Sequence, residues 1–303
     1  MTGVTTAVHH KWLKWHHLLL LILANALWGI NLLTVKIGVR EIPPVTFACL
    51  RVALMSLVFL PWLRWFRGQM AVLFRVALGT GAAGFGMLSL GLSISKDVAA
   101  VAVFTQLIVP FSVLLSVWML GEVIHWRRSL GIALAFLGVI VIGFDPRAFS
   151  YLPGLLCVVM QAFGAAIGMI YAKRLKGVGP FQLLAWISVI TCPVLLALSL
   201  VLEHGQVEAV RTASMQAWGA VFFAVIASSL LGQGLFFYLL KHYPVSSVAP
   251  LTVLQTLFGM LAGVLFNHDQ LTSRMLLGGL ITIAGVLIIE LRTQRMFSDS
   301  AQT

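Results

Sequence analysis

Ten apolar runs separated by short polar stretches make up almost the whole chain. Roughly 20 apolar residues are needed for a helix to cross the hydrocarbon core of a bilayer. Pro, Gly and charged residues separate the runs, as at Pro43-Pro44 and Asp145-Pro146. The pattern predicts an all-α integral membrane protein with ten transmembrane helices. These helices are expected at residues 18–38, 44–63, 71–93, 98–120, 129–144, 151–172, 181–202, 215–240, 246–266 and 274–291.

Composition and charge agree with a membrane protein and orient it. The chain is 60% hydrophobic and 10% charged, whereas soluble domains have about 25% charged residues. With Arg51 set aside, 13 of the 20 Lys and Arg residues fall on the side that holds the N-terminus and 6 on the other side. Positively charged loops stay in the cytoplasm. We therefore predict a multi-pass protein of the inner (cytoplasmic) membrane with both termini in the cytoplasm.

The second half of the chain repeats spacings found in the first half. Glu122 precedes Gly131 and Gly138 at the same distances by which Asp269 precedes Gly278 and Gly285, a register of 147 residues. Pro44 and Pro180, which open spans two and seven, are 136 residues apart. Five helices per repeat is an odd number, so the second copy must cross in the opposite direction. Such inverted repeats are typical of carriers that expose one site alternately to either side.

Three stretches carry a resemblance to a known family. They are Trp28-Gly29-Ile30-Asn31 with Lys36, Pro43-Pro44 and Arg51; Ala99-Ala100-Val101-Ala102 through Pro110 to Gly121-Glu122; and Val248-Ala249-Pro250-Leu251 through Asp269 and Leu271 to Gly285. The chain resembles the EamA family of the drug/metabolite transporter superfamily over nearly its whole length. It is similar within that family to the O-acetylserine/cysteine exporters. One departure is Asn267-His268-Asp269, where the family commonly has Gly-Glu.

The resemblance implies a domain organisation and a function. It implies two inverted five-helix EamA repeats, at 18–147 and 148–291, flanked by cytoplasmic tails at 1–17 and 292–303. It also implies export of small metabolites, most often amino acids or their derivatives, by alternating access. Spans one, three, four, six, eight and nine are expected around the cavity on the same basis.

Arg51 is the only formal charge well inside an apolar run. It lies seven residues after Pro44, which is about 10 Å into a helix at 1.5 Å per residue. A charge at that depth costs at least a few kcal/mol and usually faces a wet cavity or a partner. Its guanidinium offers a planar fork that could hold a substrate carboxylate. The alternative is a structural role, in which Arg51 binds backbone carbonyls or reaches the outer interface.

Neutral polar residues at mid-span are the other candidates for the substrate site. Asn and Gln carry donors and acceptors, and Trp adds a flat apolar wall with one donor. Together they suit a neutral or zwitterionic solute, although each could instead bond a neighbouring helix. The predicted cavity residues are Asn25, Trp28, Asn31, Arg51, Gln106, Gln161, Gln233 and Gln255. Glu122 and Asp269, at span ends, are predicted to pin a helix end or a gate.

Other function classes fit the sequence less well. An intramembrane enzyme needs paired carboxylates, a Ser–His pair or a metal set at one depth, and all eight His residues lie at span ends or in tails. We therefore expect no catalytic residue, metal or cofactor. A passive channel would show a filter sequence or polar rings. Exporters of drug-like compounds, sugars or nucleotide precursors remain the alternative. The expected partners are a small solute and membrane lipid, without nucleic acid; a homodimer is left open.

Overall fold

The protein is a bundle of apolar helices. The computed structural model describes residues 14–121, 126–243 and 249–300, and all regular structure in these ranges is helical. Seven helices are long and apolar enough to cross a membrane: α1 (Trp15–Gly38), α2 (Pro44–Trp62), α3 (Met70–Ile94), α4 (Val98–Met119), α6 (Leu152–Ala172), α7 (Pro180–Leu202) and α8 (Met215–Phe236). Three shorter apolar helices complete the set: α5 (Ser129–Gly143), α9 (Leu251–Phe266) and α10 (Ser273–Ile289).

Some of these helices continue beyond their apolar parts. Helical structure begins at Trp126 before α5, continues to His242 after α8 and extends to Ser300 after α10. Two short helices, Pro146–Phe149 and Gln206–Thr212, lie in the connections after α5 and α7. The first is capped by the Asp145 side chain, which accepts a hydrogen bond from the backbone of Arg147.

Four helices are irregular at corresponding places in the two halves. Both α3 and α8 contain a ten-residue π-helical stretch, Ala77–Gly86 and Phe223–Gly232. In α4 the α-helical hydrogen bonds are interrupted at residues 106–107, because Pro110 has no N–H and its ring would collide with the carbonyl four residues earlier. A 3-10 stretch, Ala249–Val253, leads into the corresponding helix α9 and overlaps its first three residues.

Helices α5 and α10 pack closely and antiparallel through glycines. A Cβ added to Gly131 would lie 2.8 Å from the carbonyl oxygen of Gly285, and one added to Gly278 would lie 2.5 Å from that of Gly138. Because Gly131 corresponds to Gly278 and Gly138 to Gly285 in the repeat, a two-fold exchange of the halves maps one contact onto the other. Small residues at such crossings let membrane helices approach closely.

The same register appears in the backbone. Gly121, which ends α4, has a φ of 68°, and His268, 147 residues later, has a φ of 56°. These are left-handed conformations, which glycine adopts freely and which His tolerates at a cost. The departure from Gly-Glu noted in the sequence is therefore a change of side chain at a turn whose backbone conformation is the same in the two repeats. Asp269 follows that turn directly.

Candidate functional site

A cavity lies at mid-depth in the bundle. It has a volume of about 280 Å³, close to the lower limit of pockets for small organic ligands. Eight of the ten apolar helices contribute to it, and α5 and α10 do not. Its lining residues are Trp28, Asn31, Leu32, Arg51, Met55, Phe85, Leu88, Thr105, Ile108, Gln161, Leu184, Ser228, Ser229, Gln233 and Gln255.

The structure brings six of the eight predicted cavity residues to this lining: Trp28, Asn31, Arg51, Gln161, Gln233 and Gln255. The expected set of helices needs a correction, because α2 and α7 contribute as well. These two helices, one from each half, pack against each other, and Met55 and Leu184 are their lining residues besides Arg51. That any of these residues binds a solute stays a prediction.

Asn25 and Gln106 lie outside the lining and join helices instead. The Asn25 side chain is fully buried; its Nδ2 donates to the Leu21 carbonyl, and its Oδ1 accepts from the backbone N–H of Gln255 at 3.2 Å. Gln106, at the interruption of α4, donates from Nε2 to the Thr256 hydroxyl of α9. Both amides thus satisfy polar groups where α9 meets its neighbours, which is the helix-bonding alternative for such residues.

Arg51 is buried in the cavity wall and fixed from two sides. Its side chain is 5% exposed. One terminal nitrogen donates to the Ser229 hydroxyl of α8 at 3.2 Å, and Cζ stands 4.5 Å from the centroid of the Phe85 ring of α3. The side chain therefore neither reaches the interface nor binds a backbone carbonyl among the described residues. A cation over an aromatic face in a desolvated place is held by about 2 kcal/mol.

Trp28 forms the wall next to α8. Its indole Nε1 donates to the backbone carbonyl of Ser228 at 3.2 Å, and its ring packs edge-on against Phe236 at 5.4 Å between centroids. This carbonyl lies in the π-helical stretch of α8, and because a carbonyl oxygen has two lone pairs it can accept the indole N–H as well as a backbone N–H. The indole is therefore a fixed, flat surface at the cavity rather than a mobile side chain.

Sequence reasoning missed Ser229 and Phe85, which position Arg51, and Ser228, whose carbonyl binds the indole of Trp28. All three residues lie within the two π-helical stretches, where the periodicity of a regular α-helix does not hold. The side-chain hydroxyl of Ser229 donates to the carbonyl of Ala224, five residues earlier in the chain. Two adjacent serines in the middle of an apolar run were the available signal, since each must find a partner inside the bundle.

A polar network joins helix ends at one end of the bundle. We call this the far end; it holds the connections α1–α2, α3–α4, α5–α6, α7–α8 and α9–α10. There Asp269 Oδ2 accepts the backbone N–H of Ala99, in the first turn of α4, at 2.7 Å. Asn267 Nδ2 donates to the Lys96 carbonyl at 2.9 Å and to Asp269 at 2.6 Å. Asp269 thus caps a helix of the other repeat.

The capping carboxylate is itself desolvated. Burial raises the pKa of Asp269 above its usual range, while the hydrogen bonds from Ala99 and Asn267 act in the opposite direction. The first seven residues of α4, Val98 to Phe104, are at most 3% exposed. The far half of α4 is therefore packed as core, and Asp269 holds its start. The counterpart Glu122 lies outside the described residues.

A second cap at the far end orders the start of α2. Glu203 accepts the backbone N–H groups of Val45 at 2.7 Å and Thr46 at 2.9 Å. The first N–H groups of a helix have no hydrogen-bond partner within the helix, and a carboxylate at this position accepts their hydrogen bonds. Its negative charge also interacts favourably with the positive end of the helix dipole. Lys36 Nζ donates to the carbonyls of Leu92, at 2.8 Å, and Ser95, which end α3. Helix ends of both repeats are thus joined by side chains.

Comparison with known proteins agrees with this architecture. The chain is 24% identical over 277 residues, covering 89% of it and 93% of its relative, to an Escherichia coli (strain K12) protein named "probable amino-acid metabolite efflux pump". It is also 24% identical to a Salmonella typhimurium protein of the same name, with the same coverage. An uncharacterized transporter of Synechocystis is 27% identical over 88% of each chain.

The fold also matches a solved protein. A crystal structure superposes with a TM-score of 0.60 at 17% identity, covering 94% of this chain and 99% of the other. The profile of the EamA-like transporter family matches twice, at residues 15–144 and 152–291. The two matches fall on the two halves that the α5–α10 contacts relate. The chain therefore belongs to the EamA-like transporter family and is a multi-pass membrane protein built from two EamA repeats.

Proposed function

We propose that this transporter exports small metabolites, most often amino acids or their derivatives, from the cytoplasm across the inner membrane. The observation that carries the proposal is the chemistry of the mid-depth cavity. Its described lining has one cation, four neutral amides and three hydroxyls, and no carboxylate. A lining of this kind can hydrogen-bond a zwitterion, whereas a cationic drug would meet the charge of Arg51 without a counter-charge.

The proposal includes ten membrane-spanning helices with both termini in the cytoplasm. The excess of Lys and Arg on the side of the N-terminus supports this orientation. In that orientation the far end faces away from the cytoplasm. The names of the Escherichia coli and Salmonella relatives support amino-acid metabolites as the cargo.

The proposed mechanism is alternating access between the two repeats. The capped and packed start of α4 supports a state that is closed at the far end. If the two repeats exchanged conformations, the far end would open and the cytoplasmic end would close. Asp269 would act as the gate residue at the far end. No titratable carboxylate lines the described cavity, so downhill export is as consistent with this site as antiport.

Counterflow in proteoliposomes tests the proposal. Vesicles are preloaded with a mixture of unlabelled amino acids, and uptake of labelled cysteine, threonine and phenylalanine is followed. We expect transient accumulation of at least one label, and its loss in Asn31→Ala protein that retains the wild-type melting temperature. Absence of counterflow for all three labels, with counterflow of a sugar or a nucleoside, would reassign the cargo. Absence of any counterflow would refute a transport role.

A further inference from the structure

Residues of the cavity wall carry buried polar atoms that the protein itself leaves unmatched. Among the described residues, four buried side-chain nitrogen or oxygen atoms have no hydrogen-bond partner: Asn31 Oδ1, Arg51 Nε, Ser95 Oγ and Gln161 Oε1. Three of them belong to residues that line the cavity, and Ser95 lies at the far end. Buried polar groups are nearly always paired, so a set of unpaired ones at one cavity points to a ligand.

Of the three unmatched atoms at the cavity, the one donor is Nε of Arg51, which is the only cation of the described lining. Ser229 and Phe85 fix the guanidinium, yet neither uses its Nε–H. The one salt bridge within the described ranges joins Arg147 and Asp97 at the far end, 3.7 Å apart. The charge of Arg51 therefore has no carboxylate partner in the described protein. An anionic oxygen is the group that a fixed guanidinium N–H binds best.

The two unmatched acceptors are amide oxygens on equivalent helices. Asn31 lies on α1 and Gln161 on α6, the first helix of each repeat. An ammonium group has three donors and no acceptor, so neutral amide oxygens can satisfy it. Amide oxygens bind an ammonium group less strongly than a carboxylate does. A carboxylate in their place would bind any organic cation tightly.

We infer that the cavity recognises the zwitterionic headgroup of a free α-amino acid. Its α-carboxylate binds Arg51, and its α-ammonium binds the amide oxygens of Asn31 and Gln161. The inference rests on the proposed function and adds which chemical group of the solute the cavity recognises. A carboxylic acid without the amine leaves both amide oxygens unpaired. An amine without the carboxylate brings a second positive charge beside Arg51. Only the zwitterion satisfies all three atoms.

Competition during counterflow tests the headgroup requirement. All twenty standard L-amino acids are first assayed, and the one with the fastest counterflow becomes the labelled probe. Its carboxamide, which lacks the carboxylate, and its des-amino acid, which lacks the ammonium, then compete with it. A lost hydrogen bond to a charged group weakens binding roughly ten- to hundredfold. We expect each analogue to compete at least tenfold less well than the unlabelled parent.

Two variants assign the two ends of the headgroup. Arg51→Met removes the cation at similar length and should abolish the preference for the amino acid over its carboxamide. Gln161→Leu should instead reduce the preference for the amino acid over its des-amino acid. Arg75→Met is the matched control, because Arg75 also stands over a ring, that of Tyr171 at 5.5 Å, but lies outside the lining. Both preferences should remain in that control.

The outcomes separate this inference from the proposed function. Equal competition by the carboxamide and the parent, or an unchanged preference in Arg51→Met, would overturn the headgroup assignment while export stands. Counterflow of other solutes without any amino acid would also overturn it. If no solute moves, the proposed function itself fails. Arg51→Lys covers the case in which Arg51→Met does not fold, because it keeps the charge but lacks Nε and should still lose at least part of the preference.

Discussion

The cap that Asp269 places on α4 gives a stability effect that can be calculated from the structure. Asp269→Ala leaves the N–H of Ala99, which is 2% exposed, without its acceptor. Loss of a helix cap costs about 0.5–2 kcal/mol, and a buried donor without a partner costs about 1–3 kcal/mol. Both figures describe the same N–H, so they overlap. We expect the free energy of unfolding to fall by about 1–3 kcal/mol.

Gly263 makes the same contact testable from a second position. A Cβ at Gly263 would overlap Asp269 Oδ2 and lie 3.1 Å from the backbone nitrogen of Ala99. Gly263→Ala should therefore displace the carboxylate and remove the same hydrogen bond that Asp269→Ala removes. The double variant should then lose less than the sum of the single losses, by about 1 kcal/mol.

Unfolding by SDS in mixed micelles, followed by circular dichroism, measures these free energies. Asp269→Asn keeps an acceptor oxygen and serves as the control, with a smaller expected loss than Asp269→Ala. Losses that add fully in the double variant would show that Gly263 and Asp269 act independently. An Asp269→Ala protein as stable as the wild type would refute the argument that the carboxylate holds the start of α4.

Two further predictions concern the helix pairing and pH. Gly138→Leu should disrupt the α5–α10 contact at Gly278 and lower the melting temperature, whereas Gly143→Ala, which meets open space, should not; equal melting temperatures would contradict the glycine contact. Hydrogen bonds from Ser214 lower the pKa of Glu41 in the folded protein. They therefore stabilise the fold fully above the pKa of an unfolded Glu, about 4.3. This stabilisation is lost as the pH falls through the lower pKa that Glu41 has in the folded protein. Melting temperatures of Glu41→Gln protein should therefore depend less on pH between about 5 and 3.

The helical class and the repeat could be predicted from the sequence because both depend on local pattern. Apolar length and punctuation indicate helices directly, and equal spacings indicate repetition. The structure adds the reason for the spacing: Gly131 and Gly138 recur as Gly278 and Gly285 because each pair forms the close face between α5 and α10. The left-handed turn shared by Gly121 and His268 shows the same register in the backbone.

The cavity could be predicted only in part. Amides at mid-span were a usable signal, since a polar side chain inside a bundle needs a polar partner. Sequence could not separate amides that face a cavity from those that face a helix: Asn25 and Gln161 are equally central, yet one bonds the backbone of Gln255 and the other has an unpaired oxygen. That difference depends on the rotation of each helix against its neighbours.

The arrangement around Arg51 could not be predicted, because it depends on irregular helices. The π-helical stretches shift the residues that follow by a fraction of a turn, which changes the face that each side chain occupies. Ser229 and Phe85 reach the guanidinium from two such stretches. Periodicity that assumes a regular helix cannot place them there.

The central claim, that an amino acid passes through the mid-depth cavity, is tested most directly by protection of a single cysteine in its wall. In protein whose three native cysteines are replaced by alanine, Leu88→Cys places a thiol in the lining at a partly exposed position. Met87→Cys, at the adjacent residue, which is 36% exposed and lies outside the lining, is the control. We predict that a charged methanethiosulfonate reagent blocks counterflow only in Leu88→Cys and that the transported amino acid slows this reaction. Labelling at Leu88→Cys that leaves counterflow intact, or that the amino acid does not slow, would contradict the account.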